Sequence, residues 1–222
     1  GESAQREATK ARLMQALEGL DRGFTATKPQ RAAVESIIDE LAAMSPVKEP
    51  APALLAQDST WQLIYSDAPD IVGSGTGNGG GLSPSNGKVG QEFDAAAGTI
   101  TNLVEIKPPG LLSGVLPDDA VQLRVKIKAR VVSPTRIGMT VMGTQAQPRK
   151  FAGIDISRLP PLGLEIPSPI QPPFGEFEIL YYDGSLRVIR TGQGYLGVNI
   201  RTDKPFATTT TTTDAPAAAD IS

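Results

Sequence analysis

The chain has 222 residues, a formal net charge of −3, and neither histidine nor cysteine. One sizeable core fits within that length, with room for an appendage. The missing residue types exclude disulfides, thiolate chemistry, Ser-His and Cys-His mechanisms and the commonest metal ligand, and the acidic balance gives no sign of a nucleic-acid partner.

The opening segment reads as helix. Leu13, Leu17 and Leu20, with Met14 and Ala16, form an apolar stripe at helical spacing, and Gly23 is placed to stop it. Thr27 starts a capping box with Gln30, with Pro29 in the first turn; Val34, Ile37, Ile38, Leu41 and Met44 then continue a second amphipathic helix. Pro46, Pro50 and Pro52 end it. The two stripes fit a helical hairpin packed on the rest of the chain; a docking face for a partner or membrane is the alternative. No apolar run approaches the ~20 residues of a membrane span. No signal or transit peptide is visible, and the start at Gly1 without Met suggests processing or trimming of the chain.

Strands follow. Trp61, Leu63 and Tyr65 share one face of the first. Gly75-Thr76-Gly77-Asn78-Gly79-Gly80 fits GxGxxG, but Ser83-Pro84-Ser85-Asn86-Gly87 cannot start the helix that a pyrophosphate site needs, so residues 73–87 read as a loop. Val89 to Phe93 and Thr99 to Ile106 are the next strands, with Leu111 to Pro117 as an apolar connection. Val121 to Val131 alternates most cleanly. Val121, Leu123, Val125 and Ile127 lie on one face; Arg124, Lys126, Lys128 and Arg130 lie on the other, where they meet water, acidic neighbours across strands or an anionic membrane surface. Ser133-Pro134-Thr135 turns the chain into a strand from Arg136 to Met142.

Residues 154–174 interleave six prolines with Leu159, Leu162, Leu164, Ile166 and Ile170. Proline cannot join a central ladder, so this stretch reads as an extended connection: a lid over an apolar cavity, a segment dipping into lipid, or a strap on the wall. A meander closes the fold: Phe177, Ile179 and Tyr181 alternate, Asp183-Gly184 turns, Leu186 to Arg190 returns, and Leu196, Val198 and Ile200 share a face of the last strand. Residues 207–222, with Thr208 to Thr213 unbroken, are low-complexity and read as disordered.

Catalytic candidates are sparse. Asp118-Asp119 follows Pro117 in a turn, Asp67 and Asp70 flank Pro69 as turn residues, and no Asp/Glu cluster has metal-loop spacing. Roughly eight alternating strands can close into a barrel that holds one hydrophobic ligand, with no cofactor and no reaction.

Five pieces in order resemble the plastid lipid-associated proteins, or fibrillins. They are Leu20-Asp21-Arg22-Gly23 with Gln30-Arg31-Ala32; Trp61-Gln62-Leu63-Ile64-Tyr65-Ser66-Asp67-Ala68; Asn102-Leu103-Val104-Glu105; Ser133-Pro134-Thr135-Arg136-Ile137; and Tyr181-Tyr182-Asp183-Gly184-Ser185-Leu186-Arg187-Val188-Ile189-Arg190 with Gly194-Tyr195-Leu196. The resemblance implies a mainly β, lipocalin-like antiparallel barrel with an N-terminal helical hairpin, in a family most of whose members have no known catalysis. On that reading residues 1–52 are the helical segment packed on the barrel, 53–206 the barrel and 207–222 the tail. The resemblance also implies a plastid location, peripheral on thylakoids or plastoglobules, and partners among prenyl lipids of the carotenoid or quinone class, a membrane or plastoglobule surface, or a thylakoid complex. Trp61, Leu63, Tyr65, Val121, Leu123, Val125, Ile127, Leu196, Val198 and Ile200 would face the ligand. By the same resemblance, Trp61 with Arg187 or Arg190 would plug the closed end by cation–π stacking. A barrel filled by its own side chains, in a protein that coats lipid or docks on a membrane complex, is the alternative.

Overall fold

The computed structural model describes residues 1–68, 85–107, 121–148, 150–151, 154–155, 158, 160, 162–168 and 173–203. The expectations for Asp70, the GxGxxG stretch, residues 111–117, Asp118-Asp119 and the tail 207–222 lie outside these, as does much of the Pro-rich stretch.

Three helices open the chain: α1 (Glu2–Leu17), α2 (Lys28–Ala43) and the short α3 (Pro50–Leu55). The Thr27 capping box is formed in both directions. The Gln30 amide donates to Thr27 Oγ1 at 3.4 Å, and the Thr27 amide donates to Gln30 Oε1 at 2.9 Å. Between α1 and α2 the chain turns at Gly23, whose φ of +97° suits glycine; a Cβ there would collide with the Ser66 carbonyl oxygen. α2 ends at Ala43, ahead of Pro46, but Pro50 and Pro52, read with Pro46 as terminators, lie in a further helix, α3. Pro50 lies in its first turn, where a missing N–H costs nothing.

Eleven strands follow: β1 (Ser59–Ser66), β2 (Ser85–Asp94), β3 (Thr99–Lys107), β4 (Val121–Val131), β5 (Arg136–Pro148), β6 (Lys150–Phe151), β7 (Ile154–Asp155), β8 (Leu162–Glu165), β9 (Pro173–Tyr182), β10 (Leu186–Thr191) and β11 (Leu196–Arg201). Nine form one antiparallel sheet in the order β4-β3-β2-β1-β11-β10-β9-β5-β8, and β4 also pairs with β5. Eight strands thus close into a ring, with β8 added beyond β9 on the same edge of β5. The fold is mainly β, and its helices are few.

Connections differ between the two ends of the ring. Turns at 95–98, 132–135 and 183–185 lie at the end where β1 begins; the long connections 67–84, 108–120 and 149–172 leave from the other. α3 covers the short-turn end. The Ala51 amide donates to the Pro134 carbonyl at 2.9 Å, and Ala51 and Leu54 are wholly buried.

The core falls into two clusters, one on each face of the ring. Ala51, Leu54, Trp61, Phe93, Ile100, Ile127, Ile137, Phe177, Ile179 and Tyr182 converge from α3 and strands all round the ring, so they occupy its interior. Leu13, Leu20, Val34, Ile38 and Leu41 of the helical part pack with Tyr65, Tyr181, Leu186, Val188, Leu196 and Val198, so the hairpin covers the outer face of β1, β9, β10 and β11.

Candidate functional site

Interior positions are fixed by strand register. Residues facing each other across an antiparallel pair point the same way, and the side alternates along a strand. Trp61 pairs with Gln91, Gln91 with Asn102, and Asn102 with Val125; Leu63 pairs with Asn199 and Asn199 with Arg187. Because Trp61, Phe93 and Ile127 are interior, these rows are interior too.

Arg187 dominates this space. It is wholly buried, with Cζ 5.0 Å from the Trp61 ring centroid, 5.1 Å from Phe93 and 5.8 Å from Phe177. Such a cage stabilises a cation through the ring quadrupoles. Nη2 donates to Gln91 Oε1 at 2.6 Å, and Gln91 Nε2 donates to Asn102 Oδ1 at 2.8 Å. The Nε and Nη1 groups of Arg187 and Nδ2 of Asn199 are buried without a hydrogen-bond partner among the described residues. Burial pushes the guanidinium down to about 9, because the charged form has lost its water. Trp61 donates to Ser59 Oγ at 2.9 Å, and its ring meets Tyr182 at 5.9 Å between centroids.

From this layer towards the long connections, the interior becomes apolar and less covered. Val89 pairs with Val104 and Val104 with Leu123, next to Val125 and Leu63. Leu123, although inward by register, is 39% exposed, and Leu63, Val104 and Val125 are half-buried. The interior is therefore packed at the α3 end and opens beyond the polar layer.

The ligand-facing residues expected from sequence divide between the faces. Trp61, Leu63, Leu123, Val125 and Ile127 are interior. Tyr65, Leu196, Val198 and Ile200 belong to the cluster under the helical hairpin. A bulge between Leu63 and Tyr65 turns Tyr65 away from the side of Trp61. Val121 enters the register by its backbone, and its side chain is outside the description. Of the two arginines, Arg187 meets Trp61; Arg190 lies on the helix side with Nη2 3.8 Å from Glu35.

The cations of β4 line the outer face. Lys126 and Lys128 are exposed, Arg130 is exposed with Nη2 3.9 Å from Glu176, and Arg124 pairs with Glu92 at 2.9 Å. A groove of about 600 Å³ crosses this face, lined among others by Thr60, Glu92, Thr101, Arg124 and Lys126. Beside it the β8 leucines are bare, Leu162 77% and Leu164 66% exposed.

Catalytic geometry is thin. Asp67 accepts the Leu196 amide at 2.7 Å, a turn contact. Asp183 accepts from Lys10 Nζ (2.6 Å), Tyr181 OH (2.8 Å), the Ser185 amide (2.9 Å) and the Leu186 amide (2.8 Å). Burial pushes its carboxyl up, but these donors together hold it well below the carboxylate range; burial and Asp183 push the Tyr181 phenol up. This is a hairpin clamp that ties α1 to the sheet. Among the described residues no group of His, Cys, Asp or Glu is gathered to hold a metal ion, and no helix is long and apolar enough to cross a membrane.

Neither the curated proteins nor the solved structures searched give a match to the chain. The PAP_fibrillin family model matches residues 7–199, from within α1 to within β11. With five sequence pieces, the closed ring and this match in agreement, the chain belongs to the PAP_fibrillin family of plastid lipid-associated proteins.

Proposed function

We propose that the protein is a non-enzymatic lipid carrier or coat of plastids, which takes a prenyl lipid of the carotenoid or quinone class into the open end of a lipocalin-like barrel. The observation that carries this is Leu123, an inward-facing leucine left 39% exposed beside Leu63, Val104 and Val125. Inward apolar groups at the mouth of a closed ring give a hydrophobic molecule a place to bury its surface, at about 25 cal/mol per Å². Trp61, stacked under Arg187, would close the other end. On this reading residues 53–206 form the barrel and 1–52 its helical buttress.

A second reading is favoured by the outer face, where Lys126, Lys128, Leu162 and Leu164 are exposed together. Cations beside bare leucines suit an anionic lipid surface at a thylakoid or plastoglobule, or a complex embedded there. Organic extraction of the purified protein, followed by uptake of a plastoquinone-type lipid, separates the two. Stoichiometric pigment or quinone, or saturable uptake, is expected for the carrier. A clean extract with no uptake would leave only the coat.

A further inference from the structure

We infer that the polar floor of the ring's interior is a head-group site, and that it receives the carboxylate of an apolar-chain acid inserted head first. This rests on the reading of the open end as a lipid cup and assigns to that cup an acidic lipid beside the neutral prenyl lipids proposed above.

Arg187 carries a full positive charge that no carboxylate of the described residues neutralises; its polar partner among them is the neutral amide of Gln91. A buried cation without a counter-ion is costly, and removing one partner of a buried pair is among the most destabilising changes known. The three aromatic rings offset part of that cost. They leave Arg187 Nε and Nη1 without acceptors, however, and Asn199 Nδ2 is an orphan donor across the strand pair. Three unmatched donors, one of them on a neighbour, suit a group with two acceptor oxygens and a negative charge. A carboxylate meets a guanidinium through two parallel hydrogen bonds and has lone pairs left for an amide.

Position agrees with chemistry. The polar layer lies between the packed row Phe93, Ile100 and Ile127 and the apolar row Val89, Val104 and Leu123, with Leu63 and Val125 in register with the polar residues themselves. A chain occupying those positions would have its inner end at Arg187. A neutral, wholly apolar ligand would leave the three donors as they are, whereas an acid would satisfy them and cancel the charge.

The test uses the full chain with cis-parinaric acid and its methyl ester, followed by fluorescence on binding. The acid is expected to bind about ten- to a hundredfold tighter than the ester, the usual size of a charged hydrogen bond. Gln91→Glu gives Arg187 an internal carboxylate and should remove the acid's advantage, so that acid and ester bind alike. Arg187→Met should do the same if it folds; Gln91→Glu keeps the question open to refutation if it does not. Equal binding of acid and ester by the unaltered protein would overturn the head-group site and leave the cup. Acid preference that survives Gln91→Glu would overturn the role of Arg187. Binding of neither probe would overturn the cup, and the head-group site with it.

Discussion

Asp183→Asn should weaken the whole fold, because one carboxylate holds two layers together. Oδ1 accepts the amides of Ser185 and Leu186 and thereby fixes the β9–β10 turn; Oδ2 accepts Lys10 Nζ from α1 and the Tyr181 hydroxyl. The asparagine oxygen can keep the turn contacts, but its NH₂ group then faces the two donors. The Lys10 and Asp183 side chains are 19% and 10% exposed, so water replaces the lost contact poorly. A charged hydrogen bond in such a place contributes about 1.5–3 kcal/mol, so a loss of about 2–3 kcal/mol is expected. For a chain of this size that corresponds to a fall in Tm of about 4–12 °C. Urea denaturation of Asp183→Asn, Lys10→Met and the double variant measures it directly. Coupling between the two sites should exceed about 1 kcal/mol; a value below about 0.5 kcal/mol, the ordinary scatter of additivity, would refute the clamp. The folded carboxyl lies below its unfolded value near 3.9. Its contribution is therefore complete above about pH 4 and is lost as pH falls through the folded value. The gap between wild type and Asp183→Asn should accordingly narrow only in acid.

Gly23→Ala forces both a positive φ and a collision with the Ser66 carbonyl; a cost of about 2–3 kcal/mol in denaturant unfolding is expected. Thr27→Ala removes one half of the capping box on α2 and should cost about 1 kcal/mol, with Thr27→Ser nearly silent. Replacing Lys126, Lys128 and Arg130 together by Gln should weaken flotation with anionic liposomes by about 1 kcal/mol per charge, while Arg124→Gln, already paired with Glu92, should add little. Unchanged flotation of the triple variant would remove the outer face as a lipid surface.

Much of the fold was legible in sequence because its strands alternate. Val121–Val131 is β4 to the residue, and Asp183-Gly184 is the turn it resembles, with Gly184 at a φ of +89°. The faces were harder to assign. Alternation separates Leu196 and Val198 from Asn199 but does not say which side is the interior, and here both sides are buried, one by the ring and one by α1 and α2. The bulge beyond Leu63 shifts the period by one residue and carries Tyr65 to the other face. α3 was hidden because Pro50 and Pro52 read as terminators, although proline is well suited to a first turn. The polar floor left a signal that went unread. Gln91 sits between Val89 and Phe93, and Asn102 between Ile100 and Val104, each interrupting an apolar stripe. The burial of Arg187 had no such mark, since Arg187 and Arg190 look alike on one strand.

Closure of the ring also governs how copies of this protein meet one another. A strand whose backbone is hydrogen-bonded on both sides offers nothing for a second molecule to extend. Among the described residues, β8 of the nine-stranded sheet is paired only with β5, and it is four residues long between Pro161 and Pro167. So short a template is a poor seed for fibrous self-association.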